Sequence, residues 1–206
     1  MIASHNSMSF QKPSKLWMWV VKPWTQCQES DIYIQNRFYD VRYFDIRIRP
    51  QKVNGKYVPY YCHNTSIYEP VVSRRVGKMY LNVLNFISIA GKTQIYARIS
   101  LDIRKEPKNA EELKTWFLDY VNRLKEQYQY IKFDSIKIFW EAWSIDYGPQ
   151  EIKVIERHWS VDKKSWWEYL LPIKLYQRFR MPGNVWLNEK EVNSTDTAYM
   201  YDYVNM

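Results

Sequence analysis

Glycine is scarce in this sequence, five among 206 residues. That excludes a glycine-rich phosphate loop, which needs several glycines in one short stretch. Cysteine is scarcer still. Cys27 and Cys62 are too few for a disulfide scaffold and do not fall in a metal-ligand spacing such as CxxC, so two free thiols, buried or half-buried, are expected. No apolar run approaches the ~18–20 residues of a membrane-spanning helix. No internal repeat and no low-complexity tract is present. The opening residues have neither the charged nor the apolar part of a secretory signal. The chain is therefore expected to be cytoplasmic as encoded, or secreted and seen in its mature form.

What is abundant is aromatic. Ten Trp, eighteen Tyr and eight Phe exclude a disordered chain, which is poor in such residues. The length suits one domain able to bury a core without staples. Thirty Lys and Arg against 22 Asp and Glu give a charge of +8. Such a charge suits nucleic acid, an anionic membrane surface or a phosphorylated small substrate. The cations are dispersed in pairs such as Arg74-Arg75 and Lys163-Lys164. A nucleic-acid arm would be more concentrated, and no groove-reading motif is present.

The patterning alternates between strands and helices. Residues 1–4 read as a short extended start, and 15–21 as an apolar, Trp-rich segment ended by Pro23. Residues 30–39 read as a helix capped by Ser30. Strands are predicted over 41–49 and, after an Asn54-Gly55 turn, over 57–63. A helix over 80–90, a strand over 93–103 and a helix over 110–128 capped by Asn109 follow. Strands are predicted over 136–143 and 152–156, and a helix over 163–178 interrupted at Pro172. The last strand candidates are 185–188 and 198–204. About eight strands alternating with helices predict an α/β fold, specifically an irregular, trimmed TIM-like (β/α)8 barrel in a single domain over 1–206.

The histidines fall where such folds place chemistry, at the carboxyl ends of strands. His5 ends the first strand, His63 ends the third and His158 follows the sixth. In Asp45-Ile46-Arg47 both charged side chains share one strand face, as does Arg49. That is not an ordinary core face. Asp102 ends the strand over 93–103. Asp202 lies in the last strand, which in a closed barrel neighbours the first, within reach of His5. Two imidazoles can remove and donate a proton, a guanidinium can stabilise a phosphoryl group, and a carboxylate can fix a tautomer. These parts suit phosphodiester cleavage.

The same residues resemble the X region of phosphatidylinositol-specific phospholipase C, most of all the bacterial single-domain type. The resemblance rests on Ser4-His5-Asn6-Ser7, on Trp24-Thr25-Gln26-Cys27-Gln28 with Ile32-Tyr33-Ile34-Gln35, on Val41-Arg42-Tyr43-Phe44-Asp45-Ile46-Arg47, and on Tyr61-Cys62-His63-Asn64. Ile99-Ser100-Leu101-Asp102, the region 154–167 and Tyr199-Met200-Tyr201-Asp202 carry a weaker likeness.

The resemblance implies that His5 is the general base, taking the proton of the inositol 2-hydroxyl. His63 would be the general acid, Arg47 would stabilise the phosphoryl charge, and Asp202 would orient His5. Arginine at 47, where calcium-dependent relatives have a carboxylate, implies a metal-independent enzyme. Asp45, Asn6 and Asp102 as oxygen donors leave a weak Ca²⁺ site as an alternative. The ring-reading strand of the family aligns either with Glu156 and His158 or with Arg157 and Trp159. Asp40 and Asn64 stand where the family favours Gly, and both tolerate the left-handed conformation. Trp17 and Trp19 correspond to a membrane-touching helix, or else pack over the barrel. The expected partners are a phospholipid or small phosphodiester and a peripheral membrane surface, with the protein acting as a monomer. The competing readings are a degenerate module that binds an anionic head group without turnover and, less well matched, a glycerophosphodiester phosphodiesterase.

Overall fold

A computed structural model describes residues 1–5, 7–11, 13, 15–24, 26–28, 30–63, 66–70, 77–91, 93–103, 107–140, 143–147, 150–157, 166–173 and 195–201. Among the described residues the protein has a mixed α/β fold with a central sheet and four helices. In chain order the elements are β1 (Ile2–Ser4), α1 (Met18–Val21), α2 (Ile32–Tyr39), β2 (Val41–Val53), β3 (Lys56–His63), β4 (Ser66–Pro70) and α3 (Gly77–Gly91). Then come β5 (Ile95–Ile103), α4 (Ala110–Gln127), β6 (Ile131–Trp140), β7 (Trp143–Tyr147), β8 (Lys153–Arg157) and β9 (Thr197–Tyr201).

Local chemistry explains the boundaries. α2 is capped by Asp31, not Ser30: the Asp31 carboxylate accepts from the Tyr33 and Ile34 amides. A carboxylate also suits the positive end of the helix dipole better than a hydroxyl. α2 stops at Asp40, which takes the left-handed conformation (φ 49°, ψ 35°), as its tolerance of a Gly-favouring position predicts; Asn64 lies outside the described residues. Asn54 and Gly55 have φ of 50° and 76°, the two positive values that a tight two-residue hairpin turn requires. That turn folds the far half of β2 back as β3. α4 buries Leu113, Phe117, Tyr120, Val121 and Leu124 on one stripe. Its Asn109 makes no side-chain cap; the amide donates instead to the Tyr57 hydroxyl and to Glu112.

Three more expectations are corrected. The strand predicted over 136–143 is two strands, β6 starting at Ile131 and β7 returning antiparallel to it. β4 pairs with β3 and has no counterpart in the sequence reading. The described part of the segment predicted as a helix over 163–178 contains a 3-10 turn, Trp166–Leu170. The strand candidate at 185–188 lies outside the described residues, and β9 is described to Tyr201.

The nine strands among the described residues form one sheet in the order β7-β6-β5-β2-β1-β9-β8, with β3 attached to β2 and β4 to β3. From β6 to β8 all neighbours run parallel. Among the described residues no ladder joins β8 to β6 or β7, so a closed (β/α)8 ring of hydrogen bonds is not what these strands form. The sheet nevertheless curls. Arg98 Nη2 on β5 reaches Met200 Sδ on β9 at 3.1 Å, although β2 and β1 lie between. Strands stand about 4.8 Å apart, so a flat sheet would separate β5 and β9 by roughly 14 Å. Asp134 of β6 accepts from the amides of Glu151 and Ile152 at the start of β8, drawing those strands together.

Two cores result. Phe44, Ile46, Ile48, Ala97, Ile99, Leu101, Ile136 and Ile138 alternate outward under the helices. Met1, Ala3, Tyr43, Ile152, Ala198 and Met200 fill the concave side. The next residues along that concave face are Asp45, Arg47, Arg98, Ser100 and Asp102. Polar side chains therefore line the inside of the sheet toward the carboxyl ends of its parallel strands.

Candidate active site

His5 follows β1 directly and is buried. A polar lattice fixes its turn. The Ser4 hydroxyl donates to Gln35 Oε1, Gln35 Nε2 donates to the Ser7 carbonyl, and the Ser7 amide donates to the Asp45 carbonyl. Gln28 Nε2 donates to the His5 carbonyl. Ser9 Oγ accepts from the amides of Cys27 and Gln28, both at 2.8 Å. Residues 4, 5, 7–9, 26–28 and α2 are thus one stitched unit, which accounts structurally for Gln26-Cys27-Gln28 and Gln35.

Arg47 reaches into the same place from β2. Its Nη2 lies 2.7 Å from His5 Nε2, and its Nε donates to Asp45 Oδ2 at 3.0 Å. Its Nη1 lies 3.8 Å from Asp102 Oδ2, and the guanidinium sits over the Phe139 ring at 5.1 Å. Burial works against the charge on Arg47, but Asp45 and Asp102 outweigh it and hold the guanidinium firmly protonated. His63, the last residue of β3 and partly exposed, brings its ring to 5.5 Å from the His5 ring, edge to face. The hairpin turn is what returns His63 alongside Arg47. Of the two histidines and the arginine predicted to act together, His5 therefore meets both of the others.

The carboxylates are committed elsewhere than calcium. Asp45 is fully buried, with Oδ1 accepting from Arg98 Nε at 2.9 Å and Oδ2 from Arg47. Burial alone would raise its carboxyl, yet Arg47 and Arg98 hold it well below the usual carboxylate range. Asp102 faces Arg47 and Arg49, and its carbonyl accepts from Arg49 Nε at 2.8 Å. Three guanidinium groups, of Arg47, Arg49 and Arg98, share the two carboxylates Asp45 and Asp102. A hard dication would have to displace arginines from both acids, so this donor set does not fit Ca²⁺.

Arg98 and Cys27 are the members that sequence reasoning missed. Arg98 is buried and pairs with Asp45, and Cys27 Sγ lies 3.5 Å from His63 Nδ1. A signal for Arg98 was present: Arg98, Ser100 and Asp102 alternate on one strand face, as Asp45, Arg47 and Arg49 do. Nothing in the sequence spacing joins Cys27 to His63. Cys62, expected to be a buried free thiol like Cys27, is one; burial and Asp102 push its thiol up.

Other predicted site residues are reached only in part. Glu156 and Arg157 end β8 opposite Met200 and Tyr201 on β9, while their side chains, and the whole of Asn6, His158, Trp159 and Asp202, lie outside the described residues. The expectation that the last strand neighbours the first holds: β9 pairs with β1, with Tyr201 opposite Ser4. Trp17 and Trp19 are 54% and 46% exposed, so neither is buried over the sheet. Compared with known proteins, the chain matches no family model, no curated protein and no solved structure.

Proposed function

We propose that this protein is a metal-independent phosphodiesterase acting on phosphatidylinositol or a related glycerophosphodiester, built on a trimmed, TIM-like barrel. The observation that carries this reading is the packing of His5 and His63 at 5.5 Å with the Arg47 guanidinium 2.7 Å from His5 Nε2. The strand order and the Asp134 bridge between β6 and β8 support the barrel. In the reaction, His5 takes the proton of a hydroxyl neighbouring the phosphate. That oxygen bonds to phosphorus, the bond to the glycerol oxygen breaks, and His63 gives that oxygen a proton. The products are a cyclic phosphate and a diacylglycerol. Arg47 faces the charge that grows on the phosphoryl oxygens. The Ser100 hydroxyl, in register with Arg47, is buried without a hydrogen-bond partner among the described residues and is a further donor for such a ligand. The choice of inositol rests on the sequence resemblance alone.

Phosphorus NMR on the purified protein with phosphatidylinositol in detergent micelles tests the reading. A cyclic inositol phosphate resonance is expected in EDTA. A resonance only after Ca²⁺ addition would overturn metal independence. None under either condition would overturn the activity toward this lipid and favour a binding module.

The membrane surface is expected to be met by α1 and its flanks. Leu16, Trp17, Trp19 and Val20 point outward, with Leu16 88% exposed, while Met18 points in and its Sδ meets the Ile67 amide. Lys22 Nζ lies over the Trp19 ring at 5.2 Å, so one face offers indoles and a cation together. Trp17→Ala is expected to weaken binding to anionic vesicles about tenfold, ~1.4 kcal/mol, while sparing cleavage of a water-soluble substrate. Equal losses on both substrates would assign Trp17 a packing role.

A further inference from the structure

Cys27 has no part in the reaction just described, yet its thiol stands close to both histidines. Its Sγ is 3.5 Å from His63 Nδ1, and one ligand atom from each of His5, Cys27 and His63 lies within 4.8 Å of the others. Two imidazoles and a thiolate suit a borderline or soft divalent ion, not a hard one. Around tetrahedral Zn²⁺, with Zn–N of ~2.0–2.1 Å and Zn–S of ~2.3 Å, neighbouring N and S ligands stand about 3.6 Å apart. The Cys27–His63 pair already has that separation, and the remaining distances need to shorten by about 1.5 Å at most. The backbone is prepared for this. Ser9 holds the Cys27 amide and Gln28 holds the His5 carbonyl, so two of the three ligands belong to one stitched unit. Partly exposed His63 stands on the solvent side, and buried Cys27 packs with Ile173.

We propose that His5, Cys27 and His63 form a three-ligand site for Zn²⁺ or a similar soft divalent ion, with the fourth position open, and that its occupancy switches off the phosphodiesterase. The site stands on geometry; the switch rests on the roles given above to His5 and His63. On binding, the Cys27 S–H proton and the proton that His63 holds as the acid both leave to solvent, and a sulfur–metal bond and a bond from each imidazole form. The two imidazoles spend their lone pairs on the metal and can no longer take or hold the reacting proton. Arg47 beside His5 opposes the added charge, and the Cys27 thiolate with Asp45 offsets it. The binding is therefore expected to be reversible by EDTA.

Co²⁺ titrated into the full chain reads the site without reference to activity. Tetrahedral d–d bands and a thiolate-to-cobalt charge-transfer band are expected, bleached by Zn²⁺. Cys27→Ser should abolish the charge-transfer band and weaken Co²⁺ binding by more than about 100-fold, because loss of even an outer partner of a ligand costs about 10–100-fold. Cys62→Ala should keep both spectra, and circular dichroism with a melting curve shows that each variant is folded. Absence of the band in the wild type, or its survival in folded Cys27→Ser, would overturn the site. In parallel, Zn²⁺ should inhibit phosphodiester cleavage with the midpoint at which it bleaches cobalt. Metal bound with cleavage unchanged would overturn the switch. No cleavage by metal-free protein would overturn the phosphodiesterase reading and the switch with it, leaving the spectroscopic test of the site intact.

Discussion

Replacing His63 by alanine is expected to lower kcat for phosphodiester cleavage by about 10²- to 10⁴-fold, the range over which a positioned acid or base contributes. The change should leave the fold intact, because His63 is the partly exposed last residue of β3 and its neighbours in the ladder, Tyr61 and Cys62, carry the burial. His5→Ala should have a loss of similar size. The double variant should lose little more than either single one, since an acid and a base that act in one step fail together. The two single variants are separable by pH. Removing the base takes away the acid limb of the pH–rate profile, and removing the acid takes away the alkaline limb. Steady-state rates across pH on a soluble phosphodiester, with a melting curve for each variant, check this. Wild-type kcat in either folded variant would remove that histidine from the mechanism.

Asp45→Asn is expected to destabilise the protein by about 3–5 kcal/mol, because it leaves partnerless charge inside. The Asp45 carboxylate is fully buried and carries Arg98 on one oxygen and Arg47 on the other. An amide can accept from one guanidinium but offers no charge to either, so Arg98, itself buried, keeps its desolvation cost without its counter-ion. The pH dependence follows from the same contacts. The folded carboxyl is held well below the ordinary range, against a burial effect that alone would raise it, while in the unfolded chain it titrates near ~3.9. Protons therefore bind the unfolded chain more readily. The contribution of Asp45 is fully present above about pH 4 and is lost as pH falls toward the folded value. Urea unfolding between neutral pH and pH 3 should show a steep acid loss in the wild type and a shallower one in Asp45→Asn. Parallel acid slopes in the two proteins would show that Asp45 is not the group responsible. The same variant should lower turnover, since Asp45 sets the position of Arg47 over the His5 ring nitrogen.

Much of this was readable along the chain. The run from Val41 to Arg49 alternates apolar and charged residues with a period of two, and the structure puts Phe44, Ile46 and Ile48 under the helices and Asp45 and Arg47 on the concave face. The Asn54-Gly55 dipeptide specifies its hairpin through positive φ angles that other residues rarely adopt. The apolar stripe of α4 is equally local. Where reading failed, the competing signal was also local or missing. Ser30 and Asp31 are both good caps, and only the actual path of the chain selects Asp31. Trp140 and Trp143 sit on opposite strands, although their spacing reads as one continuous run.

The sequence by itself determined the alternation of strands and helices, the polar face inside the sheet and the presence of two histidines at strand ends, because period, turn chemistry and charge pattern are properties of neighbours. Only the tertiary structure decided which of those groups meet. Arg98 joins Asp45 because β5 lies beside β2. His63 joins His5 because β2, on which the hairpin folds, lies beside β1. Cys27 joins His63 because Ser9 draws residues 26–28 onto the first turn. Beyond that hairpin, these contacts between residues 18 to 58 positions apart arise from curling a sheet and stitching its loops, which no local preference in a chain encodes.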